Sequence, residues 1–484
     1  MNLKPVLLWT DLLLYLLFFI VVLFIFWARH REHLRNAWKL IINRKLGIIS
    51  LLILLTYIAL GLLDSLHFRE AFVQRGNNGA VHYSSEVKSV LDKLLKPLGE
   101  NEEKTYSAPF ASQLYTKELV LLANGQQISI YPALKFGGAN LSELHRSKLE
   151  DILIRLGMAS VKSLIVLGSV ILLLLLISLT KSFVSVGRAH VPAIGEPPTA
   201  GTCADPTASA RSTTCWYTLL ITLGILIWFS FAIKELSYEY HILGTDKVGQ
   251  DVLFFAIKSI LTGLIIGTLT TLFMLPFAIF LGIMAGYFRG WVDDAIQYLY
   301  TTLSSIPAVL LIAASILSLQ MFIGNHPNLF TTMAARADAR LLALCAILGI
   351  TSWTSLCRLL RGETLKLREM DFIQAAYALG VSHYRIMLRH ILPNVMHIVL
   401  ISVVLDFSGL VLAEAVLSYV GVGVDPTTMS WGNMINTARL ELAREPVVWW
   451  PLLAAFILMF VLVLAANVFS DCVRDAFDPR MRRR

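Results

Sequence analysis

Charge is scarce in this 484-residue chain: 15% of residues are Asp, Glu, Lys or Arg, against 56% hydrophobic. That balance excludes a disordered chain and an ordinary soluble domain, and marks a membrane protein. Cysteine is scarce as well. Cys203, Cys215, Cys345, Cys357 and Cys472 show no paired spacing, which excludes a disulfide framework and a zinc pattern. No Gly-x-x-x-x-Gly-Lys-Ser/Thr run occurs, so neither ATP binding nor ATP hydrolysis is expected on this chain, and no cofactor is implied. The net charge of +8 does not argue for nucleic acid, because Lys and Arg sit in short loops beside apolar runs. Residues 7–27 lack a strongly basic leader and a small-residue cleavage site, since ARHREH follows. They read as an uncleaved span rather than a signal peptide.

What the chain has is long apolar runs. A span takes about 20 residues, and nine candidates lie near 7–27, 47–66, 161–180, 216–233, 258–285, 306–323, 341–357, 395–417 and 449–469. Basic residues orient them. Residues 28–46 and 358–394 carry six Lys or Arg each, and the tail from 470 carries five. The segments 234–257, 324–340 and 418–448 carry two each. Starting outside and finishing inside puts all three basic segments in the cytoplasm. The reading is an all-α polytopic protein with an extracytoplasmic N-terminus and a cytoplasmic C-terminus.

Two stretches are soluble in character. Residues 67–160 fall outside as a small α/β insertion. Ser84 is expected to cap a helix whose Val87, Val90, Leu91 and Leu94 share a face. Asn124-Gly125 between two apolar strands predicts a hairpin. Residues 141–157 predict an amphipathic helix returning to the membrane. Residues 186–213, rich in Pro, Gly, Ala, Ser and Thr, read as a flexible cytoplasmic linker.

The most telling stretch is DFIQAAYALGVSHYRIMLRHILPN, residues 371–394, polar between two apolar spans. Asp371 is placed to cap a first helix with Gln374 completing a capping box, and Gly380 suits the left-handed position that ends it. Ser382 is placed to cap a second helix, with Val381 and Ile386 as a staple. Pro393 disfavours helix at Leu392. Ala376 and Gly380, four apart, would leave a bare strip for a partner surface. Arg385 and Arg389 share a face that an acidic groove would attract; the alternative is that they meet anionic lipid headgroups.

Gln374-Ala375-Ala376, Gly380 and His390-Ile391-Leu392-Pro393-Asn394 resemble the EAA loop of inner-membrane permease subunits of binding-protein-dependent ABC importers. The resemblance is to the branch handling dipeptides, oligopeptides and nickel. It covers about residues 235–480 and includes HILGTDKVGQD (241–251), GYFRGWVDD (286–294), SYVGVGVDPTTMSWG (418–432) and VRDAFDPR (473–480). Gln374 stands where the family has Glu, and Gln250 where it has Arg. The resemblance implies a permease core of about six spans with three extra spans ahead of it. The domain reading is 1–66 N-terminal spans, 67–160 insertion, 161–215 span and linker, and 216–484 permease domain. It further implies a bacterial inner-membrane location, a second permease subunit, two ABC ATPase subunits and an extracytoplasmic substrate-binding protein. Asp371, Gln374, Ala375, Ala376, Gly380, Arg385, Arg389, Leu392 and Pro393 become the expected ATPase-docking residues. A short peptide is the expected substrate, with nickel or another small solute as the alternative.

Within the span 395–417, Asp406 and Glu414 lie about 80° apart around the helix. Carboxylates in a membrane face a bundle interior or a wet cavity. One reading is a translocation cavity that greets a peptide ammonium; the other is a structural carboxylate, favoured for Glu414. His241, Asp246 and Asp251 have no metal-ligand spacing, and no metal is expected. Gly244-Thr245-Asp246 is read as a turn, and Gly421 and Gly423 as a tight re-entry. Tyr287, Trp291 and Trp431 are read as an aromatic belt, and Trp431-Gly432 also as a contact for the binding protein. A membrane sensor would need a cytoplasmic output domain, and a secondary transporter would show broken helices in repeated halves. The sequence displays neither.

Overall fold

The computed structural model describes residues 3–477 apart from 31–34, 36–37, 39, 74–80, 85–86, 122–126, 140, 142–146, 187–205, 327, 329 and 331. In chain order its elements are β1 (Leu3–Pro5), α1 (Trp9–Arg29), α2 (Lys45–Asp64), β2 (His67–Val73), β3 (Val81–Tyr83), β4 (Lys88–Ser89), α3 (Val90–Leu94) and α4 (Lys96–Glu100). Next come β5 (Glu118–Leu121), β6 (Gln127–Ile130), α5 (Lys148–Val186), α6 (Pro206–Leu236) and α7 (Val252–Phe288). The rest are α8 (Trp291–Ser305), α9 (Ala308–Asn325), α10 (Met333–Arg368), α11 (Asp371–Ala378), α12 (His383–Ile386), α13 (Leu392–Tyr419), α14 (Trp431–Glu441) and α15 (Trp450–Phe477). Among the described residues, nine helices are long and apolar enough to cross a membrane, as the sequence predicts. The chain is an all-α polytopic membrane protein with a small sheet. The helices 333–368 and 383–419 outrun their expected apolar runs most, because their added ends carry the polar residues that hydropathy discards.

Two compact units emerge. One comprises 1–38, 53–96 and 252–484; the other comprises 39–52 and 97–251. In the first, β2 pairs antiparallel with β1, β3 and β4, in register Leu3↔Glu70, Ala71↔Tyr83 and His67↔Ser89. That pairing overrules Ser84 as a cap. Residues 88–89 stay extended against β2, so helix begins only at Val90, where Ser89 and Asp92 form a reciprocal capping box. Lys258 of α7 then ion-pairs with Asp92 at 2.7 Å and Asp64 at 3.5 Å. One apolar core of this unit joins α7, α8, α10 and the 371–399 segment; a second joins α1, α7, α9 and α10.

The other unit contains the β5–β6 hairpin, with Glu118↔Ile130 through Leu121↔Gln127 paired, as predicted. Its turn, with Asn124-Gly125, lies outside the described residues. In the same unit α5 and α6 pack together, tied by Lys162–Glu235 at 2.6 Å and a 3.0 Å bond from Trp228 Nε1 to Ser160. Helix α6 starts at Pro206, inside the stretch read as linker; 187–205 lie outside the described residues. Cys215, Cys345, Cys357 and Cys472 are buried, and Cys203 lies outside the described residues.

Candidate docking loop and cavity

Residues 371–391 form a helix pair seated on the ends of long spans. Helix α11 closes as the sequence predicts: Gly380 sits at φ +73°, Gly380 N donates to Tyr377 O (3.0 Å), and Val381 N donates to Ala376 O (3.1 Å). This pair of reversed bonds satisfies two end carbonyls. Its start differs from expectation. The cap position is Met370, Asp371 is already helical, and no side chain caps the turn. Gln374 Nε2 donates instead to Glu369 O at 3.3 Å, so the chain enters the helix from α10 without a capping box. Ser382 holds the cap position of α12 but also makes no side-chain cap bond.

The junction at Leu392-Pro393 also differs. Helix does not stop there. Met387–Ile391 form a π-turn whose wider ring, closed by Leu392 N on Met387 O, accommodates the proline and leads into α13. Asn394 Nδ2 covers the carbonyl of His390 at 2.6 Å.

Ile373, Ala376, Ile386 and Ile391 are buried in one core with Ala285 and Tyr287 of α7 and Leu360 of α10. A buried Ile contributes about 1.5–3 kcal/mol, so the pair is anchored rather than draped. Ala376 therefore faces inward and forms no bare strip with Gly380, which is open: a Cβ there would meet nothing. Asp371, Gln374, Ala375, Arg385, Arg389 and Pro393 are exposed, and Leu392 is half-buried. Sequence reasoning missed the apolar side chains beside them. Leu379 is 83% exposed, Tyr384 68% and Tyr377 63%, with Phe372 and Leu388 also outward. The one signal available was that Phe372 and Leu379 fall off the inward face of α11.

The loop is tied to the spans below it. Tyr287 Oη lies 2.7 Å from His383 Nδ1, and the rings of Tyr377 and Phe288 flank the imidazole. Arg361 of α10 grips Asp293 of α8 through two bonds of 2.6 and 2.7 Å. Those bonds hold the Asp293 carboxyl below the usual range. Arg289 pairs with Glu369. Gly286 lets α7 and α10 approach: a Cβ there would sit 2.6 Å from Thr364 Cβ and 2.7 Å from Arg361 O. The GYFRGWVDD run thus builds the corner under the loop.

The two membrane carboxylates part company. Glu414 is 3% exposed, accepts a 2.7 Å bond from Ser418 and backs onto Gly432. Beside it Trp431 is buried, its Nε1 donating to Ala256 O at 2.9 Å. Trp431 and Tyr287 are therefore interior rather than belt residues, and Trp431-Gly432 offers no outer contact face; Trp291 is exposed. Asp406 instead lines a cavity of about 420 Å³ with Ser355, Arg358 and Ser402. Arg358 also stacks over Tyr300 and donates to Ser304 at 3.0 Å.

In the second unit, His241 is buried between carboxylates, Nδ1 2.9 Å from Asp251 and Nε2 3.6 Å from Glu103. Burial opposes its charge, but the Asp251 and Glu103 carboxylates outweigh it and push its pKa to about 9. Burial likewise opposes charge on Glu103. The nearby His241 imidazolium and the bonds it accepts from the N–H groups of Lys135, Phe136 and Gly137 prevail, lowering its pKa to about 2. Asp246 accepts from Val248 N and Gln250 N, closing the turn the sequence predicts.

The family model described as binding-protein-dependent transport system inner membrane component matches residues 278–483. An oligopeptide transport system permease protein OppC of Mycobacterium tuberculosis is 33% identical over 242 residues, 50% of this chain and 77% of that relative. A dipeptide transport system permease protein DppC of Lactococcus lactis is 29% identical over 242 residues, 50% of this chain and 64% of the relative. A glutathione transport system permease protein GsiD of Pectobacterium atrosepticum is 29% identical over 289 residues, 54% of this chain and 85% of the relative.

Proposed function

The chain belongs to the family of binding-protein-dependent transport system inner membrane components, and we propose that it passes short peptides into a bacterial cytoplasm. As a transport permease subunit in a multi-pass inner-membrane setting, it supplies the pathway and not the motor. Two separate ABC ATPase subunits drive it, one docking on residues 371–394. A second, similar permease subunit completes the pathway, and an extracytoplasmic binding protein delivers substrate.

One observation carries the docking reading. Residues 371–391 bury an apolar base among the spans while presenting Tyr377, Leu379, Tyr384, Arg385 and Arg389 outward. An apolar centre edged by charge is what a protein partner requires. Motion of the ATPases would pass through Tyr287–His383 and the Arg361–Asp293 pair into α7, α8 and α10, rocking the spans as rigid bodies. Asp406 and Arg358 then offer opposite charges to the two ends of a peptide, in a groove that the second permease subunit would close. Glu414 acts as a structural carboxylate. Peptide is favoured over nickel because the relatives bear oligopeptide, dipeptide and glutathione names.

Reconstitution with candidate ATPases, the second permease and the binding protein tests this. ATP-dependent uptake of labelled dipeptide is expected; uptake of nickel in its place, or peptide uptake without ATPase subunits, overturns it.

A further inference from the structure

We propose that a pocket formed around the first turn of α1 binds a primary ammonium group carried on a short aliphatic chain. The pocket is separate from the docking loop and from the Asp406 cavity.

Asp338, in the first turns of α10, accepts bonds from Trp9 N at 2.9 Å and Thr10 N at 3.3 Å, and the Thr10 hydroxyl also bonds it. A carboxylate from far along the chain thus caps α1 and fixes its rotation. Asp11 is thereby turned inward, 1% exposed. Its Oδ2 lies 2.8 Å from His67 Nδ1. Its Oδ1 has no hydrogen-bond partner among the described residues. Such a buried oxygen is costly to leave unmatched. Asp11 borders a cavity of about 270 Å³ whose walls include His67, Asp338, Thr427, Leu261 and Leu341.

The chemistry of the walls selects the ligand. A carboxylate oxygen only accepts, so the ligand must donate. Burial disfavours charge on His67, but the bond and charge of Asp11 and the charge of Asp64 overcome this and raise its pKa. One imidazolium against the Asp11 and Asp338 carboxylates still leaves room for a cation. The three donors of an ammonium suit Asp11 Oδ1 and the remaining lone pairs of Asp338 and Thr10, while Leu261, Ile265 and Leu341 would receive a few methylenes. A divalent metal ion fits worse: among the described residues no group of three ligating side chains is placed to hold one. Two sources share this chemistry, the amino end of a short peptide and the ethanolamine headgroup of a phospholipid.

Calorimetry on the full chain in phosphatidylcholine nanodiscs, with n-butylammonium as the probe, tests the proposal. Saturable binding is expected, and tetramethylammonium, which has charge without donors, should compete poorly. Asp11→Asn should weaken binding roughly tenfold or more, as loss of a charged hydrogen bond implies. Ala337→Leu fills the cavity without touching the Asp11–His67 pair, and should weaken binding even if Asp11→Asn misfolds. Displacement by Ala-Ala assigns the site to peptide, and loss of probe binding in phosphatidylethanolamine nanodiscs assigns it to lipid; displacement by neither leaves a free amine as its ligand. No saturable binding to the parent, or undiminished binding in well-folded forms of both variants, overturns the proposal. Neither ATP nor an ATPase enters the assay, so that failure leaves the transport reading untouched.

Discussion

The Tyr287 hydroxyl at the end of α7 lies 2.7 Å from Nδ1 of His383 in the first turn of α12. It joins a membrane span to the helix pair proposed to meet the ATPase, and the imidazole is further held by ring contacts with Phe288 and Tyr377. Tyr287→Phe keeps the ring and removes the bond, which is worth about 0.5–1.5 kcal/mol. Faster hydrogen exchange across 371–391 and partly reduced transport are expected, with normal membrane levels. Unchanged exchange would show that the apolar base alone holds the pair.

Gly380 is a sharper test of docking. At φ +73° with open space around it, an Asp there adds backbone strain of about 1 kcal/mol. It also places negative charge beside Arg385 and Arg389. Gly380→Asp should insert normally, lose its ATPase on co-purification and abolish ATP-dependent uptake. Retention of both partner and transport would remove 371–394 as the coupling element.

Asp406 and Arg358 line one cavity, and their proposed role is in substrate passage. Asp406→Asn should raise the peptide concentration needed for half-maximal uptake by roughly tenfold, the worth of one charged contact. ATPase co-purification should be unaltered. An unchanged uptake curve would return Asp406 to a structural role.

Orientation is tested with single cysteines at Asn124 and Ser209. The distribution of basic residues predicts 124 outside and 209 inside. An impermeant thiol reagent applied from outside should label the first and spare the second; the reverse pattern would discard the nine-span topology.

His241 predicts a pH dependence for its unit. A pKa raised from 6.5 to about 9 means the protonated pair stabilises fully below pH 6.5. The contribution declines as pH rises toward 9 and is lost above it. Glu103, lowered to about 2, stays ionised across that window. A loss on the order of 1–3 kcal/mol is expected between pH 6.5 and 9.5. His241→Gln should flatten the curve, measured as thermal unfolding of the unit holding 97–251. A wild-type curve already flat there would show that His241 is neutral.

The sequence by itself determined the membrane class, the nine spans, the β5–β6 hairpin and the Gly380 turn. Each rests on local physics: apolar length against bilayer thickness, turn chemistry between strands, and the one residue that takes positive φ without cost. Tertiary structure decided which face of each helix is used. Ala376 went inward because α11 packs on α7 and α10. Asp406 and Glu414, on the same span in the sequence reading, separated because the 418–432 loop folds over only the second. Ser84 lost its cap because 88–89 pair with β2, and helix crossed Pro393 through a π-turn that no propensity signals. Asp11, His67 and Asp338 meet only because Asp338, 327 residues after Asp11 in the chain, caps the first turn of α1, a contact invisible to any local pattern.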